Sequence, residues 1–298
     1  MFASVIGLGS MGRGIAKTLL NAGWTIRGFD LNAKALADFQ ACGGISCPNV
    51  ASAVEGQSVV ISVVVNADQT EDLLFGSGFV ASSMARGGLF ISCATMAPAR
   101  AEALAAKVEA AGLLYLDAPI SGGAARAAAG ELTIMASGTP EAFDAAAPVL
   151  EAIAAKVFRL GDAAGRAAAM KMVNQLLAGV HIAAASEAMV LAARLGLDLQ
   201  AVYDVITSSA GNSWMFENRM PHVIDGDYSP LSSVEIFVKD LGIINDMSRA
   251  LRFPSPIAAA ALQMYLAASG TGLGGEDDSA VAKVYAGLAG VALPGAKA

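Results

Sequence analysis

Residues 2–12 read Phe-Ala-Ser-Val-Ile-Gly-Leu-Gly-Ser-Met-Gly, and they set the architecture of the first half of the chain. An apolar strand over Phe2–Ile6 leads directly into a GxGxxG turn, and a helix is predicted over Ser10–Ala22. The turn consists of Gly7, Leu8, Gly9, Ser10, Met11 and Gly12. Its first glycine permits the tight bend, the second lets a pyrophosphate approach, and the third lets the helix pack closely on the sheet. This order of strand, turn and helix predicts a dinucleotide site at the helix N-terminus.

The ribose of that dinucleotide is expected to bind at Asp30. A second strand is predicted over Trp24–Phe29, and it ends beside this carboxylate, which can accept hydrogen bonds from both ribose hydroxyls. No arginine follows in Leu31-Asn32-Ala33, so a 2′-phosphate would meet an unrelieved negative charge. The sequence therefore predicts NAD rather than NADP. A glycine-rich turn without a ligand and a site for FAD are the alternatives at this point.

The chain divides into an α/β part and an all-helical part. Apolar runs typical of strands buried on both faces of a parallel sheet, such as Ser58–Val65, alternate with helical segments up to residue 160. After Gly165 no further strand is predicted, and one long helix over Arg166–Leu195 follows. We therefore predict a Rossmann-type, doubly wound, mostly parallel sheet in an NAD-binding domain over residues 1–164. An all-helical substrate and oligomerisation domain is predicted over residues 165–298, in which residues 165–196 form an interdomain helix. Its other predicted helices are Asp198–Ser208, Val234–Leu251, Ile257–Ala268 and Asp278–Ala289.

Composition argues against several classes of function. The 298 residues carry a formal net charge of −7, with 55% hydrophobic and 15% charged residues, which disfavours a disordered chain and a general nucleic-acid binder. Three cysteines without a CxxC pair and two histidines argue against a metal site or a disulfide framework. The longest charge-free stretches are interrupted by Pro and Gly or are too short to span a membrane, and no signal peptide is predicted. We expect a cytoplasmic protein with no membrane partner.

Several motifs follow the glycine turn in a fixed order. They are Thr95-Met-Ala-Pro98, Asp117-Ala-Pro-Ile-Ser-Gly-Gly123, Gly161-Asp-Ala-Ala-Gly165, Lys171-Met-Val-Asn174-Gln175, Lys239-Asp240-Leu241 and Asp277-Asp278-Ser279-Ala280. In these motifs, and over nearly its whole length, the chain resembles the β-hydroxyacid dehydrogenase family, the relatives of 3-hydroxyisobutyrate dehydrogenase and tartronate semialdehyde reductase. The resemblance implies an NAD-dependent dehydrogenase of small hydroxy acids that forms a homodimer or homotetramer.

Lys171 is the candidate catalytic residue. Oxidation of an alcohol by NAD needs a base for the hydroxyl proton, and a lysine in a partly dry cleft beside the cationic nicotinamide can serve, because both surroundings favour the neutral amine. The matching lysine has this role in the family, although a helix lysine taken alone is more often a solvated surface charge. Ser121, Gly122 and Gly123 follow a predicted strand, where consecutive N–H groups and a hydroxyl can form a nest for the substrate carboxylate.

Two amides follow the lysine on the same face of the helix, Asn174 and Gln175. The family often has a catalytic Asn at the second position, where this chain has Gln175, so either amide can be the one that binds the substrate. The resemblance also implies cofactor-binding roles for Val65, Asn66, Thr95, Lys239 and Asp240. Taken alone, the Lys239–Asp240 dipeptide is also compatible with an ordinary surface ion pair.

Residues 175–240 resemble the L-threonate branch of the family more than its hydroxyisobutyrate branch. Many relatives have a Phe eight residues before the Asp of the Lys-Asp-Leu motif, whereas this chain has Ser232, which leaves room and a hydroxyl for a longer polyhydroxy chain. Asn212 adds a further donor, and a site built to bond substrate hydroxyls rejects analogues that lack them. We expect oxidation of L-threonate to 2-oxo-tetronate. The alternatives are oxidation of 3-hydroxyisobutyrate, reduction of tartronate semialdehyde, an imine reductase, which usually lacks the lysine, and a non-enzymatic NAD-sensing protein.

Overall fold

The computed structural model describes residues 1–295, which divide into two compact units, residues 1–172 and residues 173 onward. The first unit is built on a nine-stranded sheet. Its strands are β1 (Phe2–Ile6), β2 (Thr25–Phe29), β3 (Ile45–Ser46), β4 (Val59–Ser62), β5 (Leu89–Ser92), β6 (Leu114–Asp117), β7 (Ile120–Ser121), β8 (Leu132–Gly138) and β9 (Ala154–Arg159). Its helices are α1 (Ser10–Asn21), α2 (Ala33–Ala41), α3 (Val50–Val54), α4 (Ala67–Phe75), α5 (Val80–Ser83), α6 (Pro98–Ala110), α7 (Gly123–Ala129) and α8 (Pro140–Ile153).

The sheet of the first unit is mostly parallel. Its strand order is β3-β2-β1-β4-β5-β6-β8, and both β7 and β9 pair with β8. Pairing is parallel from β3 to β6 and antiparallel where β8 meets β6 and β7. The predicted doubly wound sheet is therefore confirmed. The chain winds outward from β1 in both directions, and ligands of such sheets bind beyond the carboxyl ends of the strands at this switch point.

The second unit is helical. The long helix α9 (Arg166–Arg194) begins in the first unit and continues into the second, so the two compact units meet inside it, whereas the predicted boundary at residues 164 and 165 precedes it. The remaining helices are α10 (Leu199–Thr207), α11 (Trp214–Asp225), α12 (Val234–Leu251), α13 (Pro256–Ala268) and α14 (Val281–Ala289). A π-helical turn over Ser269–Leu273 follows α13, and a 3-10 turn over Asp278–Ala280 precedes α14. The helix predicted over Asp278–Ala289 therefore opens with that tighter turn.

One helix of the second unit, α11, was not predicted. Polar residues and Pro221 break up its pattern, and glycine or proline within a segment usually lowers helix propensity. The structure explains why it forms. Ser213 caps its start by accepting a hydrogen bond from the N–H of Phe216, and a buried side of Met215, Phe216, Met220 and Val223 supplies the packing that propensity lacks.

Helix α9 is the one helix of the described chain whose length and composition would allow it to cross a membrane. Its most apolar window has a mean hydropathy of 1.7, and 44% of that window is buried inside the protein. Core helices of folded domains share this length and composition, so the feature is weak evidence for a membrane span.

Candidate active site

The three glycines of the first turn have the geometry that the sequence predicted. Gly7 has a φ of +90°, and a Cβ there would lie 2.6 Å from the carbonyl oxygen of Val63. A Cβ on Gly12 would lie 1.8 Å from the Gly7 carbonyl oxygen, so only glycine lets α1 pack this closely. A Cβ on Gly9 would meet nothing within 4 Å, and no side chain caps α1 at this residue. The open space beside uncapped N–H groups fits a pyrophosphate.

Asp30 lies directly beyond β2 and is held by the backbone. Its Oδ2 accepts a hydrogen bond from Leu8 N at 2.6 Å, and its Oδ1 accepts one from Asn32 N at 2.7 Å. The carboxylate is therefore tied to the glycine turn itself. This fixed position at the end of β2 suits an acceptor for ribose hydroxyls.

The other predicted cofactor residues of the first unit follow neighbouring parallel strands. Val65 and Asn66 come after β4, and Thr95 comes after β5, so all three lie at the same sheet edge as the glycine turn. The side chain of Asn66 caps α4 by accepting from Gln69 N at 2.9 Å, while Gln69 Oε1 accepts from Val65 N at 2.8 Å. These bonds fix the loop backbone where a dinucleotide would pass.

Ser121 ends β7, and two glycines lead from it into α7. Gly122 has a φ of +130° and Gly123 a φ of +74°, values that L side chains rarely adopt. This backbone lets the chain reverse within two residues and points successive N–H groups toward one side, together with the half-buried Ser121. The segment fits the predicted carboxylate nest.

Lys171 is brought to the same segment. Its side chain is buried, with only 7% of the residue exposed, and its Nζ donates a hydrogen bond to the carbonyl oxygen of Ile120 at 2.8 Å. Ile120 is the neighbour of Ser121, so the structure places the candidate base beside the candidate carboxylate nest. A buried ammonium with a fixed backbone acceptor is not the solvated surface lysine that the residue type alone would suggest.

Asp117 anchors the start of the helix that carries Lys171. Its buried Oδ2 accepts from Gly165 N at 2.9 Å, from Ala168 N at 3.0 Å and from Ser137 Oγ at 3.3 Å. Burial raises the pKa of Asp117, and the hydrogen bonds from Ala168 and Gly165 offset part of that rise. The sequence placed Asp117 in a motif but indicated no role for it. The three donors are 20 to 51 residues away in the chain, so no local pattern could reveal them.

In the second unit, four predicted site residues form one polar chain. Asn174 Nδ2 donates to Gln175 Oε1 at 3.0 Å, and Gln175 Nε2 donates to Asp240 Oδ2 at 2.5 Å. The other carboxylate oxygen of Asp240 lies 2.7 Å from Lys239 Nζ. Asp240 is only 1% exposed, so Lys239 and Asp240 are not an ordinary surface pair.

Asn212 and Ser232 have different surroundings. Asn212 Nδ2 donates to Thr207 O at 3.2 Å and to Glu217 Oε1 at 2.5 Å, which secures the corner between α10 and α11. Ser232 lies in the loop before α12, where its carbonyl oxygen accepts from Asp278 N at 2.8 Å. Its own N–H is 3.5 Å from Asp277 Oδ2. The backbone of Ser232 is thus fixed, and its side chain is half-buried.

The segment Glu276-Asp277-Asp278 is largely interior. Asp277 and Asp278 are fully buried, and Arg219 Nε donates to Asp278 Oδ1 at 2.6 Å. Asp277 caps the next turn by accepting from Ser279 N and Oγ. Burial raises the pKa of Asp278 to about 7, although the nearby Arg219 lowers it. The sequence gave no signal for this pairing, because Arg219 and Asp278 are 59 residues apart.

Comparison with known proteins places the chain in a family. Residues 3–161 match the NAD binding domain of 6-phosphogluconate dehydrogenase, and residues 165–285 match the NAD-binding family of NADP-dependent 3-hydroxyisobutyrate dehydrogenase. An L-threonate dehydrogenase of Cupriavidus necator is 55% identical over 98% of this chain and 97% of its own length. An L-threonate dehydrogenase of Escherichia coli K12 is 50% identical over 98% of this chain and 96% of its own. A crystal structure described as 3-hydroxyisobutyrate dehydrogenase from Salmonella typhimurium is 49% identical, with a TM-score of 0.91, and covers 95% of this chain and 99% of that one.

These matches span both units, and they agree with the resemblance inferred from the motifs. The glycine turn leaves open space at the start of α1, and the buried Lys171 lies beside the segment that contains Ser121. The chain therefore belongs to the β-hydroxyacid dehydrogenase family and is an NAD-dependent oxidoreductase.

Proposed function

We propose that the protein oxidises L-threonate to 2-oxo-tetronate with NAD. The substrate is supported by relatives about half identical over nearly the full chain, whose names specify L-threonate dehydrogenase. The chemistry rests on one observation of the structure, the buried Nζ of Lys171 held 2.8 Å from the carbonyl oxygen of Ile120. That bond keeps the amine beside the Ser121 nest, where a substrate carboxylate would bind.

Each step has its own residues. The N–H groups at the start of α1 would hold NAD, which would supply the hydride acceptor needed to oxidise the C2 alcohol of the substrate to a carbonyl. Ser121 and the N–H groups of Gly122 and Gly123 hold the substrate carboxylate and fix its orientation. Lys171, as the neutral amine, takes the proton from the C2 hydroxyl and becomes an ammonium. Asp30 accepts hydrogen bonds from the ribose and holds the dinucleotide in register.

The length of the substrate is proposed to be read at Ser232. The loop backbone at this residue is fixed by Asp277 and Asp278, and the Ser232 side chain also hydrogen-bonds the Asp278 carboxyl. A hydroxyl here favours a substrate with further hydroxyls, whereas an aromatic ring would favour an apolar methyl. The runner-up functions are oxidation of 3-hydroxyisobutyrate, which the name of the Salmonella structure suggests, and reduction of tartronate semialdehyde.

Replacing Ser232 by Phe tests this proposal. We expect Ser232→Phe to lower kcat/KM for L-threonate by about 10-fold or more, because the ring removes space and a hydrogen-bond partner. The value for 3-hydroxyisobutyrate should stay the same or rise. The exposed Ser229→Ala, three residues away on the same loop, serves as the control and should change neither value. An unchanged L-threonate rate in Ser232→Phe would contradict the role of Ser232.

We further propose that residues 1–164 bind NAD, that residues 165–298 provide substrate and oligomer contacts, and that the enzyme is a cytoplasmic homodimer or homotetramer. An exposed apolar face on α9 supports the oligomer. Val173, Leu177 and Leu191 are each about half exposed or more, and 3.6 residues per turn place them on one side of the helix. The three free cysteines suit a reducing compartment.

A further inference from the structure

Both polar atoms of the Gln175 amide bond protein side chains. Its Nε2 donates to Asp240 Oδ2 at 2.5 Å, and its Oε1 accepts from Asn174 Nδ2 at 3.0 Å. The residue is only 8% exposed. One N–H and one lone pair of the amide remain, but the two bonds fix its orientation toward Asn174 and Asp240 inside the unit. Asn174 is half-buried, and its carbonyl oxygen is not part of this chain of bonds.

The buried carboxylate of Asp240 contacts Gln175 through one oxygen and lies close to the Lys239 ammonium through the other. Asp240 Oδ2 bonds the amide of Gln175, and its Oδ1 lies 2.7 Å from Lys239 Nζ. The carboxylate is hydrogen-bonded through Oδ2 and ion-paired through Oδ1, so rotation about its terminal bond would disturb both contacts. Because an unsatisfied buried carboxylate is costly, loss of the amide would let Asp240 turn toward its remaining partner. The position of the Lys239 ammonium therefore depends on Gln175.

The packing of α9 against α12 makes this contact possible. Gly179, one turn after Gln175, is the only glycine in α9, and a Cβ there would lie 2.8 Å from the ring of Phe237 and 3.1 Å from Leu241. Those two residues lie on either side of Asp240 in α12. The Gly179 carbonyl oxygen also accepts a hydrogen bond from Tyr265 at 3.1 Å. The two helices are thus close and fixed at the level of the Gln175–Asp240 bond.

We propose that Gln175 is a positioning residue rather than a substrate contact, and that Asn174 is the amide that binds the substrate. Gln175 orients Asp240, and Asp240 in turn orients Lys239. The inference rests on the proposed function, in which Lys239 and Asp240 serve the cofactor. An asparagine at 175 would be about 1.5 Å shorter and would not reach Asp240. A glutamine side chain at this position is therefore long enough to bond Asp240, whereas an asparagine side chain is not.

The test is a crossed comparison of Gln175→Asn and Asn174→Ala in the full-length protein. Direct calorimetric titration gives the Kd for NAD without any turnover, and steady-state kinetics gives the KM of the hydroxy acid. For Gln175→Asn we expect the NAD Kd to rise about 10-fold while the KM for L-threonate changes less than about threefold. For Asn174→Ala we expect the reverse, an unchanged NAD Kd and a KM raised about 10-fold.

Two further variants keep the result interpretable. Gln200→Asn is the matched control, because Gln200 Nε2 bonds Asp204 Oδ1 at 2.9 Å on the exposed face of α10, and it should change neither constant. Gln175→Met keeps the length of the side chain and removes the amide, so it should also raise the NAD Kd even if the shorter asparagine destabilises the fold. Thermal unfolding checks the fold of each variant.

The proposal is overturned if Gln175→Asn raises the KM of the hydroxy acid and leaves the NAD Kd unchanged, or if Gln175→Met binds NAD as the wild type does. Because the NAD titration needs no substrate, it stands even if L-threonate is not turned over. Failure of the wild type to oxidise L-threonate would count against the proposed function alone, and the KM comparison would then use the hydroxy acid that is oxidised.

Discussion

At the scale of single residues, the proposed oxidation depends most on Lys171. Its burial and its 2.8 Å bond to Ile120 O hold its amino group beside Ser121, where we propose that the substrate binds. We expect Lys171→Ala to lower kcat by at least about 10²-fold, because it removes the general base, while the Kd for NAD stays near the wild-type value. Lys156→Ala, an exposed lysine on β9, is the control. Wild-type turnover by Lys171→Ala would require another proton acceptor, with Lys239 the next to test.

We propose that one residue, Asp30, also determines the choice of dinucleotide. Asp30 is tied to Leu8 N and Asn32 N, so its negative charge stays at the ribose position and cannot swing away from a 2′-phosphate. We expect kcat/KM with NAD to exceed that with NADP by about 30- to 150-fold, which corresponds to about 2–3 kcal/mol. The measurement is initial rates with each dinucleotide at a saturating concentration of the hydroxy acid. Equal efficiency with NADP would contradict the assignment of Asp30.

At the scale of elements, an interior ion pair joins α11 to the turn before α14. Arg219 on α11 bonds Asp278 with two of its nitrogens, at 2.6 and 3.3 Å, and Asp277 lies 3.9 Å away. Two buried carboxylates share one guanidinium here, and burial raises the pKa of Asp278 to about 7. The native state therefore holds a proton that the unfolded chain releases near its ordinary pKa of 3.8.

This raised pKa predicts a pH dependence of stability. The contribution of Asp278 to the free energy of unfolding is fully present below about pH 4 and is lost as the pH rises through about 7. We expect the wild type to lose more stability between these values than Asp278→Asn, which has no proton to release. Urea unfolding at several pH values measures both. Parallel curves for the two proteins would show that Asp278 is already ionised at low pH.

An element could be predicted when residues adjacent in the sequence stabilise it, and not when distant residues do. The glycine turn and the apolar strands follow from adjacent residues, and the structure has them where the sequence placed them. The long helix α9 likewise follows from an unbroken run of helix formers. Helix α11 did not, because its stability comes from tertiary burial of Met215 and Met220 against a polar local pattern.

The same division applies to the site. Sequence motifs identified Lys171, Lys239 and Asp240, because each stands within a short pattern typical of the family. They could not show that Asp117 holds the start of α9, or that Gln175 grips Asp240, since these bonds join residues 48 to 65 positions apart. Such partners emerge only when the chain is folded, and they decide which of two similar amides is free to bind substrate.

At the scale of the whole molecule, an acidic protein must bind an acidic substrate. The chain carries a net charge of −7, so long-range attraction of a hydroxy acid is not expected, and recognition has to be local. The buried ammonium of Lys171 and the N–H groups after Ser121 supply that local positive potential. A non-enzymatic NAD-sensing protein would not need a buried lysine beside these N–H groups, and an imine reductase usually lacks the lysine. A hydroxy-acid dehydrogenase needs both the lysine and the N–H groups.

The most direct test is kcat/KM of the purified wild-type protein with NAD for four acids measured side by side: L-threonate, D-erythronate, D-glycerate and 3-hydroxyisobutyrate. We predict the highest value for L-threonate, with 3-hydroxyisobutyrate lower by about 10²-fold or more, because a site that bonds substrate hydroxyls penalises an analogue that leaves its buried polar groups unpaired. The highest kcat/KM for 3-hydroxyisobutyrate would contradict the proposed function.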